Sequence, residues 1–425
     1  MSITTESASE SEVAPSTALR RNRDFTNLWI AESISQVGSQ LSLVALPLLA
    51  ILTLAASPAQ MGFLIAAGTA PALLIGLFVG VWVDRVRRRP LMVAADVLRG
   101  VLLAAVPLAW WLGLLRIEML YTVALLTGAL TVVFDVSWLT ILPSVVRRGQ
   151  LVEANSKLHV SASVAQVAGP GAGGLLIGLV GAPLAIIVDA VSFLLSAFFV
   201  LRVGTVERVE QSLEVGRSVR RDVVEGLSFV YRSDVLRALV YSKVIVTFSA
   251  GMFFAVYVLY MADDLGLGAT AIGIVFATGG VGSLVGASLA GWLAHRASPG
   301  HSVVGGQLLF GVFGLMIPLA VLFPPIALAM IVLSETLQWM THIVAQVNEL
   351  SIRQASVPDR YLGRTNSAFQ FFGRGMTPLG ALAGGLLGEL VGVPATLVVA
   401  SVGFLVAFLF VLASPVRNFA AIVDE

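Results

Sequence analysis

Long apolar stretches separated by short polar connections dominate this chain. Twelve of them are long enough to cross about 30 Å of hydrocarbon as helices. They cover residues 26–54, 58–83, 91–114, 117–146, 156–180, 183–202, 236–262, 269–293, 301–323, 325–351, 366–390 and 393–414. The alternating ten-residue strands of a membrane barrel are absent, so the pattern predicts an all-α membrane protein with twelve transmembrane helices.

Composition supports a membrane protein. Of the 425 residues, 57% are hydrophobic and 12% are charged, whereas soluble domains are about a quarter charged. Cysteine is absent, which excludes a disulfide framework and a thiol nucleophile. Residues 1–23 begin with a Ser/Glu-rich run and are predicted to form a disordered cytoplasmic tail without the features of a cleaved signal peptide.

Arginines mark every second connection between the spans. They precede the first span, follow the second, fourth, eighth and tenth, and crowd the middle of the chain, whereas the opposite connections hold only Arg116. The positive-inside rule therefore places both termini in the cytoplasm. We expect a multi-pass protein of the plasma membrane, here the bacterial inner membrane.

A constant offset of 211 residues relates the two halves of the chain without a gap. Twelve identities share this register, among them Gly62 with Gly273, Gly174 with Gly385 and Pro183 with Pro394. The chain is therefore predicted to hold two six-helix bundles, at 24–202 and 236–414, related by a pseudo-twofold axis along the membrane normal.

The longest polar stretch, residues 203–235, lies between the predicted bundles. Its arginines alternate with apolar residues, which predicts an amphipathic helix at the cytoplasmic surface. Residues 415–425 are predicted to form a second cytoplasmic tail.

A charged hairpin follows the second span. It reads G-x-x-x-D-R-x-x-R-R and contains Gly80, Asp84, Arg85, Arg88 and Arg89. The plain interpretation is an anchor of arginines at the membrane interface. The alternative is a conformational gate.

In the gate hypothesis, Asp84 bonds across the two halves near the start of the eleventh span, where a helix N-terminus favours an anion. Asp96 and Arg99, one turn apart on the third span, would complete the charge network. Each such bond would contribute about 1–3 kcal/mol, enough to bias two access states yet weak enough to break.

The fifth span contains the sequence G-P-x-x-G-G. Its residues Gly169, Pro170, Gly173 and Gly174 predict a kinked helix that packs closely on a neighbour through small side chains.

Together, the six-plus-six spans, the hairpin and the basic central segment resemble the major facilitator superfamily. The fifth-span motif resembles the antiporter motif of its drug exporters, which implies a tight seam that limits leak and favours export. The segments Phe25 to Gln40, Asp96 to Arg99 and Pro358 to Arg364 are similar to the branch containing macrolide effluxers and the enterobactin exporter. Arg87, Ala165 and Ser39 depart from the usual family residues.

Ionisable side chains within apolar spans are costly and therefore functional candidates. The predicted proton and substrate cavity contains Glu32, Gln36, Asp135, Lys243, Glu335 and His342. The resemblance implies that the first, fourth, seventh and tenth spans line this cavity. For Asp189 and Arg374 we favour a structural role instead, in which each side chain forms a hydrogen-bonded pair within the membrane or is a charge at a helix end.

The sequence favours a transporter over an enzyme. We find no P-loop, no H-E-x-x-H and no G-x-S-x-G, and the four histidines are scattered. The leading prediction is a proton-coupled exporter of amphipathic small molecules that works by rocker-switch alternating access. The alternatives are a metabolite importer or uniporter and a non-transporting receptor. We expect the lipid bilayer, a small-molecule substrate and protons as partners, a monomer, no nucleic acid, no metal and no cofactor.

Overall fold

The computed structural model describes Leu19, residues 22–83, residues 85–204, residues 228–294, Arg296 and residues 298–419, and this part of the chain contains no strand. Its principal helices are α1 (Arg23–Leu54), α2 (Pro58–Leu74), α3 (Gly76–Val83), α4 (Arg88–Trp111), α5 (Ile117–Val145), α6 (Leu151–Val180), α7 (Ala182–Leu201), α8 (Asp234–Leu259), α9 (Ala269–Ala294), α10 (Pro299–Leu319), α11 (Ala327–Ser356), α12 (Asp359–Val391) and α13 (Val393–Leu412). A π-helical turn, Tyr260–Asp264, extends α8.

Each predicted span corresponds to one helix, except the second, which is divided into α2 and α3. The division lies at Ile75, between Pro71, which lacks an N–H group, and Gly76, a weak helix former. Within the described residues, ten helices are long and apolar enough to cross a membrane, and Pro58–Leu74 is a shorter apolar helix. The glycine-rich α12 is less apolar than these helices, because its first half is polar.

The two halves repeat the same packing. In the first half, α1 packs on α6 and α7, α4 packs on α5 and α7, and α2 packs on α5. In the second half, α8 packs on α12 and α13, α10 packs on α11 and α13, and α9 packs on α11. Every one of these pairs has its counterpart at the offset of the sequence repeat, so the structure is two six-helix bundles related by a pseudo-twofold axis.

Sharp turns at the ends of α6 and α12 also repeat. Gly181 and Gly392 occupy equivalent positions and have φ angles of 86° and 90°, a region that favours glycine. Each leads directly into the next helix, so the last two helices of each half form a tight hairpin.

The halves meet along two seams, one between α2 and α12 and one between α6 and α9. A Cβ atom built on Gly62 would lie 2.7 Å from the Gly385 Cα, and one built on Gly174 would lie 2.6 Å from the Gly273 Cα. Because no side chain fits at these crossings, the helices are in backbone contact there.

Both crossings lie at one end of the molecule, which contains the connections 55–57, 181, 266–268 and 392. We call it the closed end, and we call the opposite end, which contains residues 85–87, the hairpin end. At the hairpin end, a Cβ built on Gly80 or Gly291 would meet no atom within 4 Å. The close contact between the halves therefore does not extend along the whole seam.

The buried apolar clusters show the same difference between the two ends. One cluster crosses both halves toward the closed end and includes Val44, Met61, Tyr257 and Ile331. Toward the hairpin end each half has its own cluster, around Phe25 to Val203 in the first and around Val230 to Val416 in the second. The halves are thus joined at the closed end and separately packed at the hairpin end.

Candidate functional site

A buried arginine organises the polar cluster of the first half. Arg99 on α4 is 3% exposed and forms an ion pair with Asp96, one turn earlier on the same helix. Its Nη1 donates to the Thr131 Oγ1 of α5 at 3.3 Å. Its guanidinium carbon lies 4.6 Å from the ring centre of Phe134 and 4.2 Å from that of Phe193, so two aromatic faces hold the cation.

Glu32 on α1 faces this arginine. Its Oε1 accepts a hydrogen bond from the Gln36 Nε2 at 2.6 Å, while its Oε2 is buried without a hydrogen-bond partner. The carboxyl group interacts electrostatically with Asp135, Arg99 and Asp96. The predicted stripe of Glu32 and Gln36 therefore belongs to the same cluster as the predicted Asp135.

A fourth carboxylate is that of Asp189 on α7, and both of its oxygens have a hydrogen-bond donor. It accepts hydrogen bonds from the hydroxyls of Ser42 and Ser192, the latter at 3.1 Å, and it also interacts electrostatically with Arg99. These contacts fit the structural role expected for Asp189. The cluster nevertheless brings three carboxylates, those of Glu32, Asp96 and Asp189, to Arg99.

The second half has a pocket at the equivalent place, between α8, α10 and α11. It is lined by Lys243, Val246, Gln307, Phe310, His342, Ala345, Gln346 and Glu349. At the 211-residue offset, Lys243 corresponds to Glu32, Gln307 to Asp96, Phe310 to Arg99, His342 to Thr131 and Gln346 to Asp135. The acidic cluster and this pocket are therefore two versions of one site.

Amide and aromatic groups define the walls of this pocket. Ser242 donates to the Gln307 Oε1 at 3.0 Å. The His342 ring lies 4.9 Å from Phe310 and 5.6 Å from Trp339, measured between ring centres. Lys243 interacts electrostatically with both His342 and Glu349. The structure thus brings together two residues predicted for the cavity, Lys243 and His342.

Glu335, also predicted for the cavity, lies deeper in the second half. It is 1% exposed, and both of its carboxylate oxygens accept hydrogen bonds at 2.8 Å, from the Tyr257 hydroxyl and from the Trp339 Nε1. A carboxylate with both oxygens bonded is well suited to hold α8 and α11 together.

One described residue of the hairpin, Arg89, is anchored within the first half. Arg89 donates to the carbonyls of Val200 and Leu201 at the end of α7, where a helix favours a cation. Arg85 is exposed and Arg88 is half-buried.

The gate hypothesis remains a prediction. Asp84 lies outside the described residues, as does most of the predicted amphipathic helix in 203–235. Asp96 and Arg99, which that hypothesis assigned to the hairpin network, pair with each other inside the bundle.

The fifth-span motif serves two contacts at once. A Cβ on Gly169 would lie 2.5 Å from the Gln40 Cβ, and one on Gly173 would lie 3.1 Å from the Leu41 Cδ2, both in α1. Gly174 instead meets α9, where the Pro170 carbonyl also approaches the backbone at Gly273. The glycines let α6 pack on its own half and on the other half.

Of the eight residues that line the pocket, the sequence prediction named only Lys243 and His342. Gln307 and Phe310 could have been found by applying the repeat offset to Asp96 and Arg99. Glu349 corresponds to Trp138, so the repeat gives no sign of it, although it lies two helical turns beyond His342 on the same face of α11.

Residues 13–424, nearly the whole chain, match the major facilitator family described as transmembrane secretion effector. The chain belongs to this family. It is therefore a multi-span membrane transporter and not an enzyme.

Two of the similar proteins are named as exporters. The chain is 27% identical over 385 residues to the multidrug efflux pump Tap of Mycolicibacterium fortuitum, covering 87% of this chain and 90% of the pump. It is 26% identical over 355 residues to the enterobactin exporter EntS of Shigella boydii, covering 82% of this chain and 81% of the exporter.

Solved structures share the fold. A bacterial homologue of the iron transporter ferroportin, in its inward-facing state, aligns with a TM-score of 0.74 at 19% identity, over 93% of this chain and 99% of that one. The nucleoside transporter NupG aligns with a TM-score of 0.74 at 10% identity, over 92% of this chain and 98% of that one. At these identities the likeness concerns the major facilitator fold alone.

Proposed function

We propose that this transporter exports amphipathic small molecules in exchange for protons, by rocking its two halves between two access states. The observation that carries the proposal is the acidic cluster of the first half, in which three carboxylates interact with Arg99 and Asp135 interacts with one of them, Glu32. Glu32 has one buried oxygen without a hydrogen-bond partner. Asp135 lies on the exposed side of the same cluster.

An excess of buried carboxylates suits a proton carrier. Leaving a buried polar atom unbonded costs about 1–3 kcal/mol, and a charge inside a membrane costs at least about 2.5 kcal/mol. Binding a proton to Glu32 removes the charge, and releasing it restores attraction to Arg99. A change of access that alters the exposure of this cluster would therefore exchange protons between the two sides.

The direction of transport is supported by the relatives. Tap and EntS are named as an efflux pump and an exporter, and both align over most of their length. The two glycine seams add support, because close packing at the closed end limits passive leak.

Uncoupler-sensitive resistance tests the function. A bacterial host lacking its own efflux pumps would express the protein and be challenged with a panel of amphipathic antibiotics, with and without a protonophore. We expect the protein to raise resistance to some members and the protonophore to abolish that resistance. Resistance unaffected by the protonophore, or accumulation in place of efflux, would rule out proton-driven export.

Glu32→Gln links the cluster to this function. We expect the variant to reach the membrane in normal amounts and to lose at least about tenfold in pH-gradient-driven flux in proteoliposomes, since a loss of about 1.4 kcal/mol corresponds to tenfold. Glu153→Gln is the matched control, because Glu153 pairs with Lys157 near the start of α6 and its side chain is 54% exposed. Equal flux in the two variants would exclude Glu32 as the proton carrier.

A further inference from the structure

The pocket of the second half exists because large side chains of the first half have smaller counterparts there. Phe134 and Trp138, both buried in the first half, correspond to Ala345 and Glu349. Arg99, which fills the space between two rings, corresponds to Phe310, which lies 4.6 Å from Phe404, measured between ring centres. The second repeat therefore has a small open pocket where the first repeat is filled by its own side chains.

More positive than negative side chains lie around this pocket. Glu349 is 8% exposed and interacts electrostatically with two cations, Lys243 and Arg353. Lys243 itself forms no ion pair with any carboxylate of the described residues. Two cations thus share one carboxylate, and the half-buried ammonium group of Lys243 has charge left for an anionic partner.

The position of Lys243 is fixed by its neighbours. A Cβ on the buried Gly373 of α12 would lie 3.4 Å from the Lys243 Cε, so the aliphatic stem lies against a helix with no side chain at that point. The stem is packed in protein while the ammonium group lines the pocket.

The remaining walls fit an aromatic compound with polar substituents. Phe310 and His342 offer ring surfaces, and an aromatic ligand gains from such contacts. Gln307 uses its Oε1 to accept from Ser242, which leaves its Nε2 group available to a ligand.

We propose that this pocket binds the acidic group of the transported compound, so that the substrates are amphipathic organic anions carrying an aromatic ring. The carboxylate or sulfonate lies against Lys243, and the ring lies against Phe310 and His342. As a statement about transported substrates the inference rests on the proposed function, whereas binding to the pocket needs no gradient.

Matched acid and amide probes test the binding chemistry. Purified protein in detergent would be titrated with aromatic carboxylates and their primary amides, beginning with 1-naphthoate and 1-naphthamide, by equilibrium dialysis. We expect the acids to bind at least about tenfold more tightly than the amides, since a charge-assisted hydrogen bond is about twice as strong as a neutral one. Lys243→Gln should remove this preference, and Lys243→Arg should retain it.

The sequence offers an internal control, because Lys157 and Lys243 are its only lysines. Lys157→Gln should leave the acid preference unchanged. With an amine-reactive reagent and mass spectrometry, 1-naphthoate should protect Lys243 at least about threefold and leave Lys157 unprotected, since bound ligand shields only the site that it occupies.

Three outcomes would overturn the pocket assignment. They are the absence of any acid that binds more tightly than its amide, an acid preference that survives in well-folded Lys243→Gln protein, and equal protection of both lysines. Size-exclusion profiles of the variants identify folding failures. Protonophore-sensitive efflux of neutral compounds alone would contradict the substrate class while leaving proton-driven export intact. Acid binding without a gradient, in a protein that shows no efflux, would contradict proton-driven export while leaving the pocket assignment intact.

Discussion

Glu32 and Lys243 occupy one position of the repeat and carry opposite charges. Around Glu32 the side chains are acidic with one arginine, and around Lys243 they are amides, rings and one acid. A duplicated site has thus acquired two chemistries in one molecule. The two halves therefore differ most in their side chains at equivalent positions, although their helices pack alike.

Glu335 is expected to hold helices together rather than to carry protons. Glu335→Gln can still accept from Trp339 and donate to the Tyr257 hydroxyl, so we expect it to keep pH-gradient-driven flux. Glu335→Leu leaves both donors unbonded, and for the buried Tyr257 hydroxyl this costs about 1–3 kcal/mol. Thermal unfolding in detergent should therefore show a marked loss of stability for the leucine variant only.

The opposite pattern would move the proton role to α11. If Glu335→Gln folded normally but lost coupling, while Glu32→Gln kept it, the acidic cluster of the first half would not be the proton site.

The positions of the candidate carboxylates within the spans could be predicted from the sequence, but their partners could not. Hydropathy places Glu32, Asp135, Asp189 and Glu335 within spans. The partners that distinguish them lie on other helices: Ser42 supplies Asp189 from α1 and Tyr257 supplies Glu335 from α8. Spacing along one helix gives no information about such contacts between helices.

At the scale of elements, α6 and α12 make equivalent packing contacts in the two halves. Gly169 and Gly173 pack on α1, and their counterparts Gly380 and Gly384 pack on α8. The final glycine of each motif, Gly174 or Gly385, crosses the seam to the other half. The fifth-span motif is therefore one copy of a duplicated packing device.

Gly174→Ala tests the seam. The new Cβ would lie 2.5 Å from the Ala269 carbonyl oxygen, so one helix must shift. Overpacking of this kind costs about 1–3 kcal/mol. We expect a lower unfolding temperature and a faster passive proton leak in proteoliposomes.

Gly305→Ala is the matched control for the seam, since Gly305 lies inside α10 and a Cβ there meets no atom within 4 Å. Replacing glycine within a helix stabilises it by about 0.5–1 kcal/mol. Equal leak from the Gly174 and Gly305 variants would show that the crossing does not seal the closed end.

The number and order of the spans could be predicted from hydropathy, but the ends of the helices could not. The predicted fifth span begins at 156, whereas α6 begins at Leu151, and α12 begins at Asp359 instead of 366. Backbone hydrogen bonds continue past the hydrocarbon edge, where hydropathy gives no signal. The division at Ile75 was missed because apolar residues lie on both sides of it.

At the scale of the whole molecule, the halves share one apolar cluster toward the closed end and have separate clusters toward the hairpin end. Contacts between the halves reach the very start of α2, where the Glu389 Oε2 of α12 accepts from the Ala59 N–H at 3.3 Å. The proposed alternating access requires this end to open.

A cysteine pair at this contact tests the opening. The chain has no cysteine, so Ala59→Cys combined with Glu389→Cys introduces the only thiols. We expect oxidation to a disulfide or a short cross-linker to stop flux, because the closed end can then no longer separate. A reductant should restore flux after oxidation, since it cleaves the disulfide. Each single variant serves as the control, and full flux in the cross-linked protein would argue against opening at this end.

Asp84→Asn tests the predicted gate at the hairpin end. We expect the variant to fold and reach the membrane but to lose most of its transport, because the anion that favours one access state is gone. Flux in proteoliposomes and a monodisperse size-exclusion profile are the measurements. Normal turnover would show that the hairpin serves only as an anchor at the membrane interface.

The placement of the two glycine crossings has a geometric consequence. From Gly174 to the start of α6 at Leu151 the helix runs about 35 Å at 1.5 Å per residue. A rotation of about 10° around the crossing would displace the far end of this rigid arm by about 6 Å, close to the rise of one helical turn. In the proposed rocking motion, a small change of angle where the two backbones cross therefore becomes a displacement of several ångströms at the hairpin end.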